Sequence, residues 1–97
     1  MERSKKNYGY VFVFYDVGEK RVGKVFKICK KYLQHHQLSV FRGEITPSKL
    51  MRLKKEICTI IDPEEDHITI IKMLGEYMFD EEIIGTSKKE PEDGLFI

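Results

Sequence analysis

The chain has 97 residues, of which 41% are apolar and 34% charged. This length suits one compact domain and is too short for two, and the composition excludes a largely disordered chain. A domain of this size buries only about 60–65% of its unfolded surface, so contact with a partner subunit would supply burial that the single chain lacks.

The sequence predicts a cytoplasmic protein. No apolar run approaches the roughly 18–20 residues that a membrane-spanning helix needs. The apolar run over residues 10–15 is too short for a signal peptide. Cys29 and Cys58 have no metal-type spacing and form no disulfide framework, so we expect reduced thiols that act as small core residues.

The charges are divided unevenly along the chain. Residues 1–55 carry 14 Lys/Arg and 4 Asp/Glu, a balance of +10, whereas residues 56–97 carry 3 and 12, a balance of −9. The basic half predicts a polyanionic partner such as nucleic acid. The acidic half predicts a basic protein partner or a surface that discourages non-specific binding. A dipolar surface without a ligand is the alternative.

The first predicted elements are a strand, a helix and a second strand. Residues 10–16 form the first strand, because they are β-branched or aromatic up to Asp16. Residues 20–34 form a helix with one apolar stripe. The stripe comprises Val22, Val25, Phe26, Cys29, Tyr32 and Leu33. The second strand, over residues 38–45, either folds back in a hairpin or stands alone in the centre of the sheet.

A second helix and two further strands follow. Thr46 and Pro47 are typical of an N-cap and a first helical position, and Asp62-Pro63 ends the helix. The apolar face of this helix comprises Leu50, Leu53, Ile57, Ile60 and Ile61. Strands are predicted over residues 67–74 and, more weakly, 77–84. A polar linker over 86–93 and an apolar tail over 94–97 complete the chain.

This order predicts one α+β domain over residues 1–97, with the ferredoxin-like βαββαβ plan, an antiparallel sheet, a core over 9–84 and an extra C-terminal strand. The first strand is apolar on both faces, and two helices cover only one of them. The other face must therefore meet a second copy of the chain or stack on single-stranded RNA. The RNA-recognition alternative is disfavoured, since the strand HITIIKML lacks the Gly-aromatic pattern of such modules.

The histidines offer a weak metal signal. His35 and His36 are adjacent and cannot share one helix face, although together with His67 they form a conceivable transition-metal set. The simpler interpretation is that they are loop histidines.

Several motifs together resemble the CRISPR-associated Cas-two (Cas2) family, over about residues 9–75. The motifs are Tyr10-Val-Phe-Val-Phe-Tyr-Asp16, Lys20-Arg21 at the start of a basic helix, Gln37-Leu-Ser-Val-Phe-Arg-Gly43, a helix with spaced leucines, and Asp62-Pro-Glu-Glu-Asp66 before a strand. A strand that ends in Tyr-Asp, combined with a Ser-Val-Phe-x-Gly strand at this separation, is a fairly specific pattern.

The resemblance implies a homodimer whose sheets pack face to face, so that the Asp that ends the first strand meets its symmetry mate and holds a divalent metal, Mg²⁺ or Mn²⁺. It implies a metal-dependent endonuclease on single-stranded RNA or double-stranded DNA. It also implies a role in spacer acquisition beside the Cas-one (Cas1) integrase, whose dimers such proteins bridge. On matching positions, Asp16 is the catalytic metal ligand, and the other predicted catalytic residues are Tyr15, Arg21, Ser39 and Phe41.

The chain departs from the family pattern at two positions. His35 stands where the family often has Arg, which weakens the nuclease inference. Arg42 stands where Glu is common, which strengthens nucleic-acid contact if the side chain is exposed. The non-catalytic alternative is a DNA scaffold that bridges Cas1, with a vestigial Asp16. The tail over 94–97 is predicted to add to the partner subunit as an edge strand or to dock on Cas1.

A single Asp16 is a poor metal site, but a two-fold axis would turn it into two facing carboxylates that a cation neutralises. The alternative role for Asp16 is that of a turn residue that binds the amides of Val17 and Gly18. For nucleic acid, the first helix carries a lysine stripe that tracks phosphates without reading bases, against the alternative of an ordinary solvated face. The predicted nucleic-acid-binding residues are Lys20, Arg21, Lys24, Lys27, Lys31 and Arg42.

Overall fold

The computed structural model describes residues 9–75 and 78–86, in which two helices pack on one face of a five-stranded antiparallel sheet. The elements are β1 (Gly9–Asp16), α1 (Glu19–Tyr32), β2 (Gln34–Gln37), β3 (Val40–Ile45), α2 (Pro47–Ile60), β4 (His67–Met73) and β5 (Phe79–Gly85). The strand order is β2-β3-β1-β4-β5. The predicted ferredoxin-like α+β fold with a further strand after β4 is therefore confirmed. The predicted tail and all of the linker beyond Thr86 lie outside the described residues.

The hairpin alternative for the second strand is correct, but the predicted boundaries are not. Residue 38 belongs to a tight turn, where Leu38 adopts a positive φ of 41°. A separate strand, β2, precedes this turn. Its sequence, QHHQ, is exposed at all four positions, so it lacks the apolar alternation by which strands are predicted. Because β2 begins at Gln34, α1 ends at Tyr32, two residues before the predicted end.

The start of α2 follows its sequence signals. The Thr46 hydroxyl accepts a hydrogen bond from the Lys49 amide at 3.3 Å, and Pro47 occupies the first helical position. These two residues satisfy or remove amide donors that have no partner inside the helix. The helix ends before Asp62-Pro63, as predicted.

The core lies between the helices and one face of the sheet. The helices contribute Val25, Ile28, Cys29, Leu50, Leu53 and Ile57, and the sheet contributes Val11, Val13, Tyr15, Phe41, Ile45, Ile68 and Ile70. Ile28 was not part of the predicted stripe. Cys29 is buried as expected, and burial raises the pKa of its thiol to about 12. The core prediction for Cys58 is wrong, since its side chain is exposed.

The opposite face of the sheet carries no helix in the described chain. Residues alternate along β1, so Phe12, Phe14 and Asp16 lie on the face away from the core. We call this surface the open face. Its other apolar residues are Tyr10, Val40, Ile71, Met73, Phe79 and Ile83, placed there by the strand registers. No described helix combines the length and apolar character needed to cross a bilayer.

The end of β5 approaches the loop before β4 so closely that only glycine fits. Gly85 has a φ of +96°, and a Cβ there would lie 2.2 Å from the carbonyl oxygen of Asp66. The next residue, Thr86, donates its amide to this oxygen at 2.9 Å. The end of β5 is therefore fixed to the residue at which the α2–β4 loop ends.

We predict that Gly85→Ala lowers the free energy of unfolding by about 1–3 kcal/mol, because the residue must hold a positive φ and displace a backbone oxygen. The matched control is Gly23→Ala in α1, where a Cβ meets no atom within 4 Å. It should raise stability by about 0.5–1 kcal/mol through helix propensity. Urea unfolding of both variants tests this pair, and equal changes of the same sign would refute the close approach.

Candidate functional site

Asp16 is the last residue of β1 and is exposed on the open face. It shares that face with Phe14, which is 40% exposed. Its cross-strand partner in β4 is His67. The sequence therefore places a carboxylate at the end of the central strand, beside an uncovered aromatic surface.

The turn after Asp16 is fixed by a buried carboxylate from another part of the chain. Asp66 is fully buried, and its Oδ1 accepts the Gly18 amide at 2.8 Å. Arg21 donates from Nε to Oδ2 at 2.6 Å and from Nη2 to Oδ1 at 3.0 Å, and the Asp62 amide donates to Oδ2 at 2.8 Å. These four bonds hold the pKa of Asp66 well below its usual range, and hydrogen bonding from the Arg21 side chain is the largest cause.

This arrangement bears on the alternative role of Asp16 as a turn residue. As a turn residue, Asp16 was expected to bind the amide of Gly18, but that amide is bound by Asp66 instead. Gly18 is the N-cap residue of α1 and has no side chain to cap the helix, and the Asp66 carboxylate lies at this positive helix end. Asp16 therefore does not hold this amide of the turn.

The histidines are not arranged as metal ligands. His67 contacts the Thr86 carbonyl through Nδ1 and the Thr69 hydroxyl through Nε2 at 2.9 Å. His35 bonds the Leu38 carbonyl at 2.9 Å and packs against Phe26. His35 and His36 lie in β2, so the prediction of loop positions for them is wrong, whereas His67 begins β4 as predicted. Within residues 9–75 and 78–86, no group of three or more His, Cys, Asp or Glu side chains is placed to hold a metal.

Tyr15 and Phe41 lie on the opposite face of the sheet from Asp16. Both side chains are buried in the core, with ring centroids 6.1 Å apart. Burial is the main cause of the raised pKa of Tyr15. Ser39 lies in the β2–β3 turn, where its carbonyl accepts the Tyr15 amide at 3.1 Å. These contacts support the framework of the site, and catalytic roles for the three residues stay predictions.

The predicted nucleic-acid-binding residues do not form a single surface. Lys20, Lys24 and Lys27 are exposed on α1. Lys31 forms an ion pair with Glu56 of α2, which also accepts a hydrogen bond from the Tyr32 hydroxyl. The lysine stripe is thus interrupted at its end by a carboxylate that the sequence pattern did not reveal.

The two predicted arginines are less exposed than these lysines. Arg42 is half-buried on the open face, opposite Phe12 in the register. The four-residue offset from Asp16 along β1 corresponds to about 13 Å. The guanidinium of Arg21 is directed at Asp66. Nucleic-acid contact by either arginine stays a prediction.

Comparison with known proteins decides the family. A family model described as CRISPR associated protein Cas2 matches residues 9–80. The chain belongs to the CRISPR-associated Cas2 family.

Named Cas2 relatives align with this chain over most of their length. The CRISPR-associated endoribonuclease Cas2 of Thermotoga maritima is 43% identical over 81 residues, which cover 84% of this chain and 93% of the relative. The protein of the same name from Methanocaldococcus jannaschii is 38% identical over 84 residues, covering 87% of this chain and 74% of the relative. The sequence resemblance to Cas2 is thereby confirmed.

Solved Cas2 structures share the fold. A structure described as the crystal structure of cas2 superposes with a TM-score of 0.67 at 34% identity, covering 91% of this chain and 99% of that one. Streptococcus pyogenes Cas2 superposes with a TM-score of 0.59 at 36% identity, covering 63% and 81% of the two chains. The sheet that carries Asp16 is therefore part of a fold shared with solved Cas2 structures.

Sequence reasoning missed the partner of Arg21. Asp66 ends the motif Asp62-Pro-Glu-Glu-Asp66, and the sequence pattern assigns it no role. The available signal was its place as the final residue of an acidic loop, directly before an apolar strand. Nothing in the spacing pointed to Arg21, which is 45 residues away.

We predict that Asp66→Asn destabilises the fold in a pH-dependent manner. The pKa of Asp66 is lowered in the folded state. Its carboxylate therefore stabilises the fold fully at pH values above the ordinary pKa of 3.8, and this stabilisation is lost as the pH falls from there toward the folded-state pKa. The loss on mutation should be about 1–3 kcal/mol near pH ~7 and smaller near pH ~3.

Urea unfolding at both pH values measures this difference. Glu64→Gln, which removes an exposed carboxylate of the same loop, is the control and should change stability little at either pH. An equal deficit for Asp66→Asn at the two pH values would contradict the lowered pKa.

Proposed function

We propose that this Cas2-family chain is a metal-dependent endonuclease of CRISPR adaptation that works in the cytoplasm as a homodimer with its open faces together. The observation that carries the proposal is the placement of Asp16 at the end of β1, exposed on the same uncovered face as Phe12 and Phe14. The name endoribonuclease, which the Thermotoga maritima and Methanocaldococcus jannaschii relatives bear, supports the reaction class.

The open face supports pairing with a second copy. Its exposed apolar residues include Phe14 of β1 at 40% exposure, and Phe79 and Ile83 of β5 at 58% and 46%. An uncovered surface of this kind marks an interaction site in a small protein. Pairing about a two-fold axis near the end of β1 brings two Asp16 carboxylates together.

The available donors fit Mg²⁺ or Mn²⁺ only when they are paired. Carboxylate oxygen is the ligand these hard cations prefer, but one exposed carboxylate leaves most of the coordination shell to water and phosphate. Asp16 and its symmetry mate would hold the ion. When bound, the ion supplies charge neutralisation at the phosphate and a more acidic water. The chain itself supplies the position of Asp16 through the Gly18–Asp66 bond.

The outer face of α1 is the proposed surface for nucleic acid. Lys20, Lys24 and Lys27 are exposed at helical spacing, and α2 adds Lys49, Arg52 and Lys55. Such cations bind phosphates without base specificity. The proposed substrate is single-stranded RNA or double-stranded DNA.

A non-catalytic DNA scaffold that bridges Cas1 is the second candidate. The observation that favours it is the isolation of Asp16, since no acidic or histidine cluster accompanies it in the part of the chain that the structure describes. In that case the lysines bind the DNA and Asp16 has no catalytic role. The proposed Cas1 contact through residues 94–97 belongs to both candidates.

Asp16→Asn separates the two candidates. We predict that it lowers the rate of Mg²⁺-dependent cleavage at least about a hundredfold, because the neutral amide is a poor ligand for a hard cation. Binding of the nucleic acid should change little. Cleavage of labelled RNA and duplex DNA, and binding by fluorescence anisotropy, measure the two effects.

Asp80→Asn is the matched control, since Asp80 is an exposed carboxylate of β5 on the side of the sheet away from Asp16. It should leave cleavage unchanged. Absence of cleavage by highly purified wild-type protein with Mg²⁺ or Mn²⁺, together with intact binding, would support the scaffold and contradict the nuclease.

The lysine surface makes a graded prediction. Lys24→Gln with Lys27→Gln should weaken nucleic-acid binding and reduce the slope of log K against log salt by up to about two units. Lys31→Gln should reduce it by much less than one, because Lys31 is already paired with Glu56. Binding titrations over a salt series give the slopes. An unaltered slope in the double variant, or an equal loss per residue in Lys31→Gln, would contradict this surface.

A further inference from the structure

Arg21 points toward the protein rather than toward solvent. Two of its guanidinium nitrogens, Nε and Nη2, donate to the two oxygens of Asp66, and Nη2 also donates to Glu65 at 3.2 Å. Only 23% of the Arg21 side chain is exposed. A planar guanidinium bound in this two-pronged way fixes the direction as well as the distance of its partner.

The charges around Arg21 disfavour a phosphate ligand. Asp66 and Glu65 both pair with it, and Asp62 adds a third nearby negative charge. The pKa of Arg21 is raised, with the hydrogen bond to Asp66 as the largest cause. An approaching phosphate would meet one cation whose charge is already exceeded by carboxylates, so Arg21 is unlike the exposed lysines of α1.

The Asp66 carboxylate joins the segments that surround the end of β1. Its side chain binds the turn residue Gly18, the α1 residue Arg21 and the loop residue Asp62. Its backbone carbonyl accepts the Thr86 amide at the end of β5. Asp16 lies two residues before Gly18, so this network limits the direction in which the chain continues after β1.

We propose that Arg21 is a positioning residue, which acts through Asp66 and the Gly18 amide to hold Asp16 in place for metal-assisted cleavage. This inference rests on the proposed nuclease function. It makes Asp66 part of the site, and it removes Arg21 from the phosphate-binding set. A displacement of Asp16 by about 1 Å is enough to slow a positioned reaction by up to a hundredfold.

The proposal predicts a specific kinetic pattern. Arg21→Lys and Arg21→Gln should both lower kcat by about tenfold to a hundredfold, with KM and nucleic-acid affinity unchanged within about twofold. The salt slope of binding should stay unchanged in both variants. Lys does not rescue, because it keeps the charge but loses the two-pronged geometry.

A direct phosphate contact predicts the opposite pattern. In that case Arg21→Gln raises the dissociation constant and reduces the salt slope by about one unit, and Arg21→Lys restores most of both. Either of these two results would overturn the proposal.

Two readouts do not depend on cleavage. Hydrogen exchange followed by NMR should be at least about tenfold faster at the Gly18 amide of Arg21→Lys than in the wild type, with the β4 amides of Ile68 and Ile70 unchanged. The second readout is a titration with Mn²⁺ followed by NMR. Broadening of the amide signals around Asp16 should require a higher Mn²⁺ concentration in Arg21→Lys than in the wild type. Unchanged exchange at Gly18, or an unchanged Mn²⁺ titration, would contradict the positioning role.

Glu82→Gln is the control for general destabilisation. Glu82 accepts two hydrogen bonds from Lys54, at 2.9 and 3.1 Å, and so forms a similar two-contact ion pair between α2 and β5. Its loss should lower stability without changing kcat or Gly18 exchange. If Glu82→Gln slows cleavage as much as Arg21→Lys, the slower cleavage results from general destabilisation and the proposal is overturned.

The failure of this inference can be told apart from the failure of the proposed function. If wild-type protein does not cleave nucleic acid, the nuclease proposal fails, and the Gly18 exchange and the Mn²⁺ titration still decide the positioning role. If Asp16→Asn abolishes cleavage but Arg21→Lys does not slow it, the nuclease stands and the positioning role is rejected.

Discussion

The structure depends on one strand that is apolar on both faces. The inner side chains of β1, Val11, Val13 and Tyr15, are covered by the helices, which leaves Phe12 and Phe14 uncovered. In a strand, successive side chains point to opposite faces, so the last residue, Asp16, falls on the uncovered side. The same alternation that builds the core therefore places an acidic group beside a surface that needs a partner. In the proposed dimer, pairing and metal binding both depend on this strand end.

The charge division of the sequence is partly cancelled in the fold. Acidic residues from the second half of the chain return to pair with cations of the first half, as in Arg21–Asp66, Lys31–Glu56 and Lys54–Glu82. In the same order, these pairs attach α1 to the loop before β4, α1 to α2, and α2 to β5. The cations that remain exposed on α1 and α2 are fewer than the sequence total suggests, and they are the ones left for a polyanion.

Local signals predicted most of the fold. The apolar strand before Asp16, the cap formed by Thr46 and Pro47, and the helical spacing of leucines each act within a few residues, and each is found in the structure. The failures have a different physical origin. Strand β2 is entirely polar and exposed, so it is held by the register with β3 rather than by an apolar pattern.

The site was predicted less completely than the fold. Asp16 was found because it ends a strong strand, and the family resemblance supplied a role for it. The Arg21–Asp66 and Lys31–Glu56 pairs join residues 45 and 25 positions apart, and no spacing rule within one element reveals such contacts. Tyr15 and Phe41 illustrate the converse, since a motif singled them out while the strand alternation buries them in the core.

Pairing through the open face is tested most directly by the dissociation constant of the dimer, measured by sedimentation equilibrium for three proteins. The wild type should have twice the 11.5 kDa mass of one chain. Phe14→Gln, which alters the open face, should weaken association by about tenfold or more. Met51→Gln alters an apolar residue that is 58% exposed on α2 and should leave association unchanged. A wild-type mass of one chain, or equal weakening by the two substitutions, would contradict pairing through the open face.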